Sequence, residues 1–118
     1  MNPVFTHIVT FNSARFIGRC LAALLKQKNL TDHQIVITDN ASTDSTLETL
    51  RSNFPNTRLI QNITNLGFCA AHNQGIRRFL QGSAEYLLIL NPDLVLEPDA
   101  IFEMIQALKR NPSAGMAT

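Results

Sequence analysis

Four short polar clusters hold most of the side chains in this chain that can do chemistry: Thr10-Phe11-Asn12-Ser13, Asp39-Asn40-Ala41-Ser42-Thr43-Asp44, Asn65-Leu66-Gly67 and Asn91-Pro92-Asp93. Carboxylates and amides dominate them, and catalytic bases are scarce. Asp39 can accept the imide proton of a pyrimidine, and Asn12 can contact the same base. Gly67 opens a helical stretch whose free amides suit a phosphate. Asp93 can hold a hard divalent cation with one or two protein oxygens, because magnesium keeps waters and substrate phosphates as its other ligands. Together these form the layout of a nucleotide-diphosphate site. Each residue also has a purely structural reading: Asp39 forms an Asx turn, Asn12 caps a helix, Asp44 sits in a first helical turn favoured by the dipole, and Asn-Pro-Asp is ordinary turn chemistry.

Each cluster follows an apolar or β-branched run that can deliver it. Val4 to Thr10 reads as a first strand, followed by a helix with Phe16, Ile17, Cys20, Leu21, Leu24 and Leu25 on one face and Asn12 or Ser13 as its cap. Gln34 to Thr38 is a second strand. Leu47, Leu50 and Phe54 mark a short helix opened by Ser42 or by the Ser45-x-x-Glu48 box. Thr57 to Gln61 is a third strand. The helix from Gly67 to Leu80 carries Gly67, Ala71 and Gly75 at a spacing of four, so one of its faces is nearly bare. Tight packing on a sheet and close approach of a ligand both use such a face. Glu85 to Leu90 is a fourth strand, and its unbroken aliphatic run suits cover on both faces. Pro98 suits a first helical position before Ile101, Met104, Ile105 and Leu108, and Ala114 to Thr118 reads as the opening of a fifth strand. Such β-α alternation implies a parallel sheet with right-handed crossovers. In the doubly wound order the first and fourth strands are neighbours and the second lies beside the first, which gathers three of the clusters around one crevice.

At 118 residues and 45% hydrophobic, the chain has room for one domain or part of one. A net charge of +1 with no basic block argues against a nucleic-acid binder. Cys20 and Cys69 form no CxxC pair and read as buried thiols in a reducing compartment. No segment has the length of a spanning helix, so the chain reads as a soluble, cytoplasmic domain. GxxxxGK[ST], GxGxxG and GxSxG are all missing. A phosphoacceptor receiver domain needs an acidic pair after the first strand, where this chain has Phe11-Asn12.

Val9-Thr10-Phe11-Asn12-Ser13, Thr38 to Asp44, Asn65-Leu66-Gly67-Phe68 with Asn73-Gln74-Gly75, and Leu90-Asn91-Pro92-Asp93 resemble, in order and spacing, the N-terminal half of the family 2 glycosyltransferases of the GT-A fold. The likeness covers essentially the whole chain. It implies an α/β, Rossmann-like (GT-A), mostly parallel sheet with helices on both faces, incomplete at the C-terminus, and makes residues 1–118 a single nucleotide-sugar-binding domain of a larger enzyme. It implies that Thr10, Phe11, Asn12, Asp39, Asn40 and Ser42 bind the nucleoside. Asn65, Gly67, His72 and Asn73 then line the diphosphate, with Asn91 beside it. Asp93, the last acid of a DxD-like motif, binds Mg2+ or Mn2+. Asn91 in place of the first acid resembles the rhamnosyltransferase-type branch and leaves one carboxylate for the metal. His72 stands where arginine or asparagine is common, which weakens a charged diphosphate contact, and it equally suits a partly buried helix position.

The implied activity is inverting transfer from a UDP- or dTDP-sugar to a glycan or lipid-linked acceptor in bacterial polysaccharide biosynthesis. The general base is expected beyond Thr118, so the chain alone is expected to be inactive. Further expectations are peripheral association of the full enzyme with the inner face of the membrane and self-association through the unfinished sheet edge. A non-catalytic α/β module and a receiver-like domain are the competing classes.

Overall fold

In the computed structural model, which describes residues 3–118, strands and helices alternate without exception. They are β1 (Pro3–Thr10), α1 (Ile17–Leu25), β2 (Asp32–Asp39), α2 (Thr46–Asn53), β3 (Arg58–Gln61), α3 (Phe68–Leu80), β4 (Tyr86–Leu90) and α4 (Ala100–Arg110). All strands are parallel, in the order β3-β2-β1-β4. Register aligns Thr10 with Asp39, Asp39 with Gln61, and Ile8 with Leu90. The sheet therefore ends along one edge, where the loops after all four strands emerge.

Side-chain alternation splits the sheet into two unlike faces. Val4, Ile8, Ile35, Ile37 and Leu90 pack with Ile17, Cys20, Leu21 and Leu24 of α1, Leu50 of α2, and Ile101 and Ile105 of α4. Truncating one of these to alanine costs roughly 2–5 kcal/mol. The intervening residues of β1 face α3: the Phe5 and Phe79 rings meet edge-on at 6.0 Å, and His7 lies beneath Gly75. Helices thus cover both faces, α3 alone on the second.

Several local expectations differ from what forms. Neither Asn12 nor Ser13 caps α1; its N-cap is Phe16, and the Ser13 carbonyl accepts from the amides of Phe16 and Ile17. The Ser45-x-x-Glu48 box makes no capping bond, and α4 begins at Ala100 rather than at Pro98. Ala114 to Thr118 forms no strand. β4 pairs only with β1 among the described strands, and Ile89 on its α3 side is 45% exposed, so the aliphatic run is not covered on both faces. Cys20 is buried as expected, but Cys69, on the first turn of α3, is exposed.

Candidate functional site

The four clusters meet along the carboxyl edge of the sheet, where parallel α/β sheets bind ligands. Hydrogen bonds knit three of them together. Asn12, at φ 48°, takes the Thr43 amide on its Oδ1 at 2.8 Å and the Asp44 amide at 3.3 Å, while its own amide donates to Ser42 Oγ at 2.9 Å. A small polar side chain tolerates this left-handed backbone. Asn12 thus bridges two loops instead of capping a helix. Asp44 takes the Ala14 amide at 3.2 Å and the Thr46 amide at 2.9 Å, and also the Thr46 hydroxyl; burial is the largest single effect and raises its carboxyl, but these bonds together outweigh it and hold the group below the ordinary range.

Asp39 sits at the hub. Its Oδ1 accepts from Thr10 Oγ1 at 2.7 Å and Ser42 Oγ at 2.6 Å, its Oδ2 from the Ser42 amide at 2.9 Å, and the residue is 0% exposed. Asp39 and Thr10 are both buried beneath the loop they organise, the Asp39 carboxylate held by that loop and by the neighbouring strand. Asn40 is buried as well. Its Oδ1 accepts from Asn62 Nδ2 at 3.0 Å and the Leu66 amide at 3.3 Å, and its Nδ2 donates to the Gly67 carbonyl at 3.1 Å, so a buried carboxamide clamps the end of β2 to the start of α3.

The exposed rim holds what a ligand can reach. Phe11 is 51% exposed, and Ser42 is half-buried. Asn65 Oδ1 accepts from the Gly67 amide at 2.9 Å, and Gly67 at φ 83° turns the chain into α3. The amides of Phe68, Cys69 and Ala70 precede the first helical acceptor bond, from Ala71 to the Gly67 carbonyl, and have no acceptor among the described residues. The side chain of Asn73 is exposed and makes no hydrogen bond among them. Gly75, by contrast, is filled by His7, so the lower part of the bare face serves packing and only its upper turn is open.

His72 is 4% exposed; burial holds its imidazole below the ordinary range, and its ring bonds to His7. It is a neutral, buried helix residue and supplies no positive charge. Sequence reasoning missed His7, which sat unremarked in a strand; a polar residue inside an otherwise apolar, β-branched run was the signal.

The fourth cluster adjoins the others through the pairing of β1 with β4. Asn91 and Asp93 are exposed, and neither side chain makes a hydrogen bond or ion pair among the described residues. Cys20 Sγ lies 3.8 Å from the Asn91 carbonyl, and burial, with Asp93's charge adding to it, pushes that thiol up to about 11. No cluster of three or more His, Cys, Asp or Glu side chains is placed to hold a metal among the described residues. One unengaged carboxylate with an adjacent carboxamide fits a magnesium-type ion that draws its other ligands from phosphate and water.

The alternating parallel sheet with a loop-built site along its carboxyl edge is the architecture of a GT-A glycosyltransferase domain. The chain belongs to Glycosyl transferase family 2, whose sequence profile matches residues 6–117. It is 30% identical over 115 residues to the N-acetylglucosaminyl-diphospho-decaprenol L-rhamnosyltransferase of Mycobacterium tuberculosis, covering 91% of this chain and 37% of that protein. Other curated relatives are matched over 26% of their length, so the chain spans well under half of the proteins it resembles. Among solved structures, S. aureus TarS 1-349 in complex with UDP-GlcNAc superposes with a TM-score of 0.76 at 25% identity, over 95% of this chain and 32% of that one. The mannosyltransferase PcManGT of Pyrobaculum calidifontis, in complex with GDP-Man and Mn2+, superposes with a TM-score of 0.67 at 26% identity, over 79% and 28%.

Proposed function

We propose that residues 1–118 form the donor-binding domain of a larger, inverting glycosyltransferase that moves a sugar from a UDP- or dTDP-sugar to a glycan or lipid-linked acceptor. The observation that carries this reading is the Asn40 clamp, which fixes the bare N-terminus of α3 beside the ends of β1 and β2. There the unpaired amides of Phe68, Cys69 and Ala70 offer donors and a partial positive charge to a diphosphate, with Asn65 and Asn73 at the rim. Phe11, Asn12 and Ser42 border the space left for a nucleoside, over a floor kept rigid by Asp39. The solved relatives with UDP-GlcNAc and with GDP-Man support a nucleotide-sugar ligand, and the mycobacterial relative's name supports a lipid-linked acceptor. With an acceptor of that kind, the full enzyme would work in the cytoplasm, at the inner face of a bacterial membrane.

Asp93, with the Asn91 carboxamide beside it, would hold Mg2+ or Mn2+. A cation bound there supplies positive charge to the departing nucleoside diphosphate. The protein's own part is to bind the donor, orient its diphosphate and exclude water beneath it. No residue of this edge is assigned as the acceptor's general base; that role falls to another part of the larger enzyme, and the chain alone is expected to bind donor without transferring sugar. Calorimetric titration with UDP, dTDP and GDP in the presence of Mn2+ tests the reading. Binding of UDP or dTDP is expected, and no binding by any of the three would overturn it.

A further inference from the structure

Beneath the open first turn of α3 lies a chain of polar groups that the site described above does not use. His7 Nε2 is 2.8 Å from Thr38 Oγ1, and His7 Nδ1 is 2.8 Å from His72 Nδ1. His7 and Thr38 are both 0% exposed, on neighbouring strands, and His72 is 4% exposed on the helix above them. The remaining ring nitrogen, His72 Nε2, is buried and has no hydrogen-bond partner. Buried polar atoms are almost always paired, so an orphan above a fully paired chain points to a partner that is not among the described residues.

Donor and acceptor counting fixes the direction of the chain. Two facing Nδ1 atoms share one proton, because neutral imidazole carries one N–H. Burial, with His72's nearby ring adding to it, pushes His7 down to about 4, and burial lowers His72 as well, so both rings are neutral near pH 7. The Thr38 hydroxyl has no acceptor other than His7 Nε2 among the described residues. The arrangement that leaves fewest groups unmet has Thr38 O–H donating to His7 Nε2 and His7 Nδ1–H donating to His72 Nδ1. His72 is then protonated on Nε2. The two nitrogens of an imidazole point apart, so this N–H turns away from His7, on a ring that packs edge-to-face with Phe68 at 4.4 Å between centroids. Phe68 is 58% exposed at the mouth of the helix.

We propose that His7 is a positioning residue: with Thr38 it holds His72 as the Nε2–H tautomer, a neutral hydrogen-bond donor for an acceptor oxygen of the bound nucleotide. This rests on the nucleotide-binding reading above. It gives His72 a role that needs no charge. Gly75 belongs to the same device, since only a residue without a side chain lets α3 sit down on the His7 ring.

The tautomers are read in the unliganded chain by long-range 1H–15N correlation on 15N-histidine-labelled protein at pH 7. His72 is expected with its proton on Nε2 and His7 with its proton on Nδ1. Thr38→Val removes the first donor and should leave His72 as a mixture of tautomers, with Thr38→Ser restoring the single form. In UDP titrations with Mn2+, His72→Phe should weaken binding roughly tenfold, one lost hydrogen bond's worth, and Thr38→Val severalfold. Parallel titrations with uridine and with pyrophosphate tell whether the oxygen belongs to the base or to the phosphates. A His72 carrying its proton on Nδ1 would overturn the proposal, as would a folded Thr38→Val variant that binds UDP as tightly as the wild type. A wild type that binds no nucleotide, with the tautomers as expected, would instead sink the nucleotide-binding reading and the donor role that depends on it.

Discussion

Gly75 lies directly on the imidazole of His7: a Cβ at position 75 would fall 2.3 Å from the ring's Cδ2 and Cγ atoms. The ring is bonded at both nitrogens and 0% exposed, so it cannot step aside. Gly75→Ala must therefore lift α3 or break the His7 bonds. The expected cost is roughly 2–3 kcal/mol, the range for overpacking, seen as a lower urea midpoint at unchanged slope. Gly67→Ala, where no atom lies within 4 Å, should fail for a different reason, since φ 83° strains any side chain. A Gly75→Ala variant as stable as the wild type would show that the helix does not sit where the His7 contact requires.

Asn40 is the residue whose loss should couple stability to binding. Asn40→Ala leaves the Leu66 amide, the Gly67 carbonyl and the Asn62 carboxamide each short of a partner. About 2–3 kcal/mol of stability should go with it. The start of α3 should also loosen, so that nucleotide affinity falls even where the variant remains folded. Hydrogen exchange at Leu66 and Gly67 checks this: these amides should exchange faster by more than the core amides do from the lost stability alone, and unchanged protection there would count against the clamp.

Much of this architecture was legible because burial writes itself into sequence. The aliphatic runs at 35–37 and 87–90 and the helical stripe from Ile17 to Leu24 gave the alternation, and the doubly wound order gave β4 and β2 as the neighbours of β1. What stayed hidden depends on partners distant in sequence. Asn12 looks locally like a helix cap, but its Oδ1 takes amides about thirty residues away; Asp44 looks like a first-turn residue, and adds the Ala14 amide, thirty residues back, to its local bond with Thr46. The Asp39 carboxylate takes the Thr10 hydroxyl, which is supplied by the neighbouring strand twenty-nine residues away. His7 and His72 are 65 residues apart, and no local pattern pairs them. Ala114 to Thr118 has the letters of a strand opening, yet no described strand pairs with it.

Acid should destabilise the fold through its histidines. His7 titrates at about 4 in the folded chain, against an ordinary value of 6.5. The unfolded chain thus takes up this proton as pH falls through 6.5 while the folded chain does not, so stability is full above 6.5 and is lost progressively down to about 4. For His7 alone the loss is about 3 kcal/mol. His72 and His33 shift in the same direction, both lowered mainly by burial, with Asp32 opposing the effect at His33. Urea unfolding at pH 7 and pH 5 measures the drop, and equal midpoints at the two values would contradict the neutral buried pair.

Metal dependence should run through one carboxylate. Asp93→Asn keeps the shape of the loop and removes the charge, so UDP affinity with Mn2+ should fall roughly tenfold, to the level of the wild type in EDTA. EDTA should have no further effect on the variant. Because Asp93's charge also helps to push the Cys20 thiol up, the same substitution should let Cys20 titrate at a lower pH, a readout independent of nucleotide. A variant that keeps the full manganese response would move the cation away from Asp93.

β4 offers the last test, because its outer edge pairs with no described strand while the surface along it is apolar. A groove of about 400 Å³ runs between Leu87, Leu88, Met104, Leu108 and Met116. Exposed backbone edges beside apolar surface associate unless something covers them. The isolated chain should therefore self-associate as its concentration rises, with a sedimentation coefficient that increases over the micromolar range. Leu87→Lys places a charge on the α3 side of that edge, away from the bonds of Asp39 and Asn40, and should shift the equilibrium toward monomer without loss of nucleotide binding. A chain that stays monomeric at every concentration would mean that the edge is protected in solution by the segment after α4.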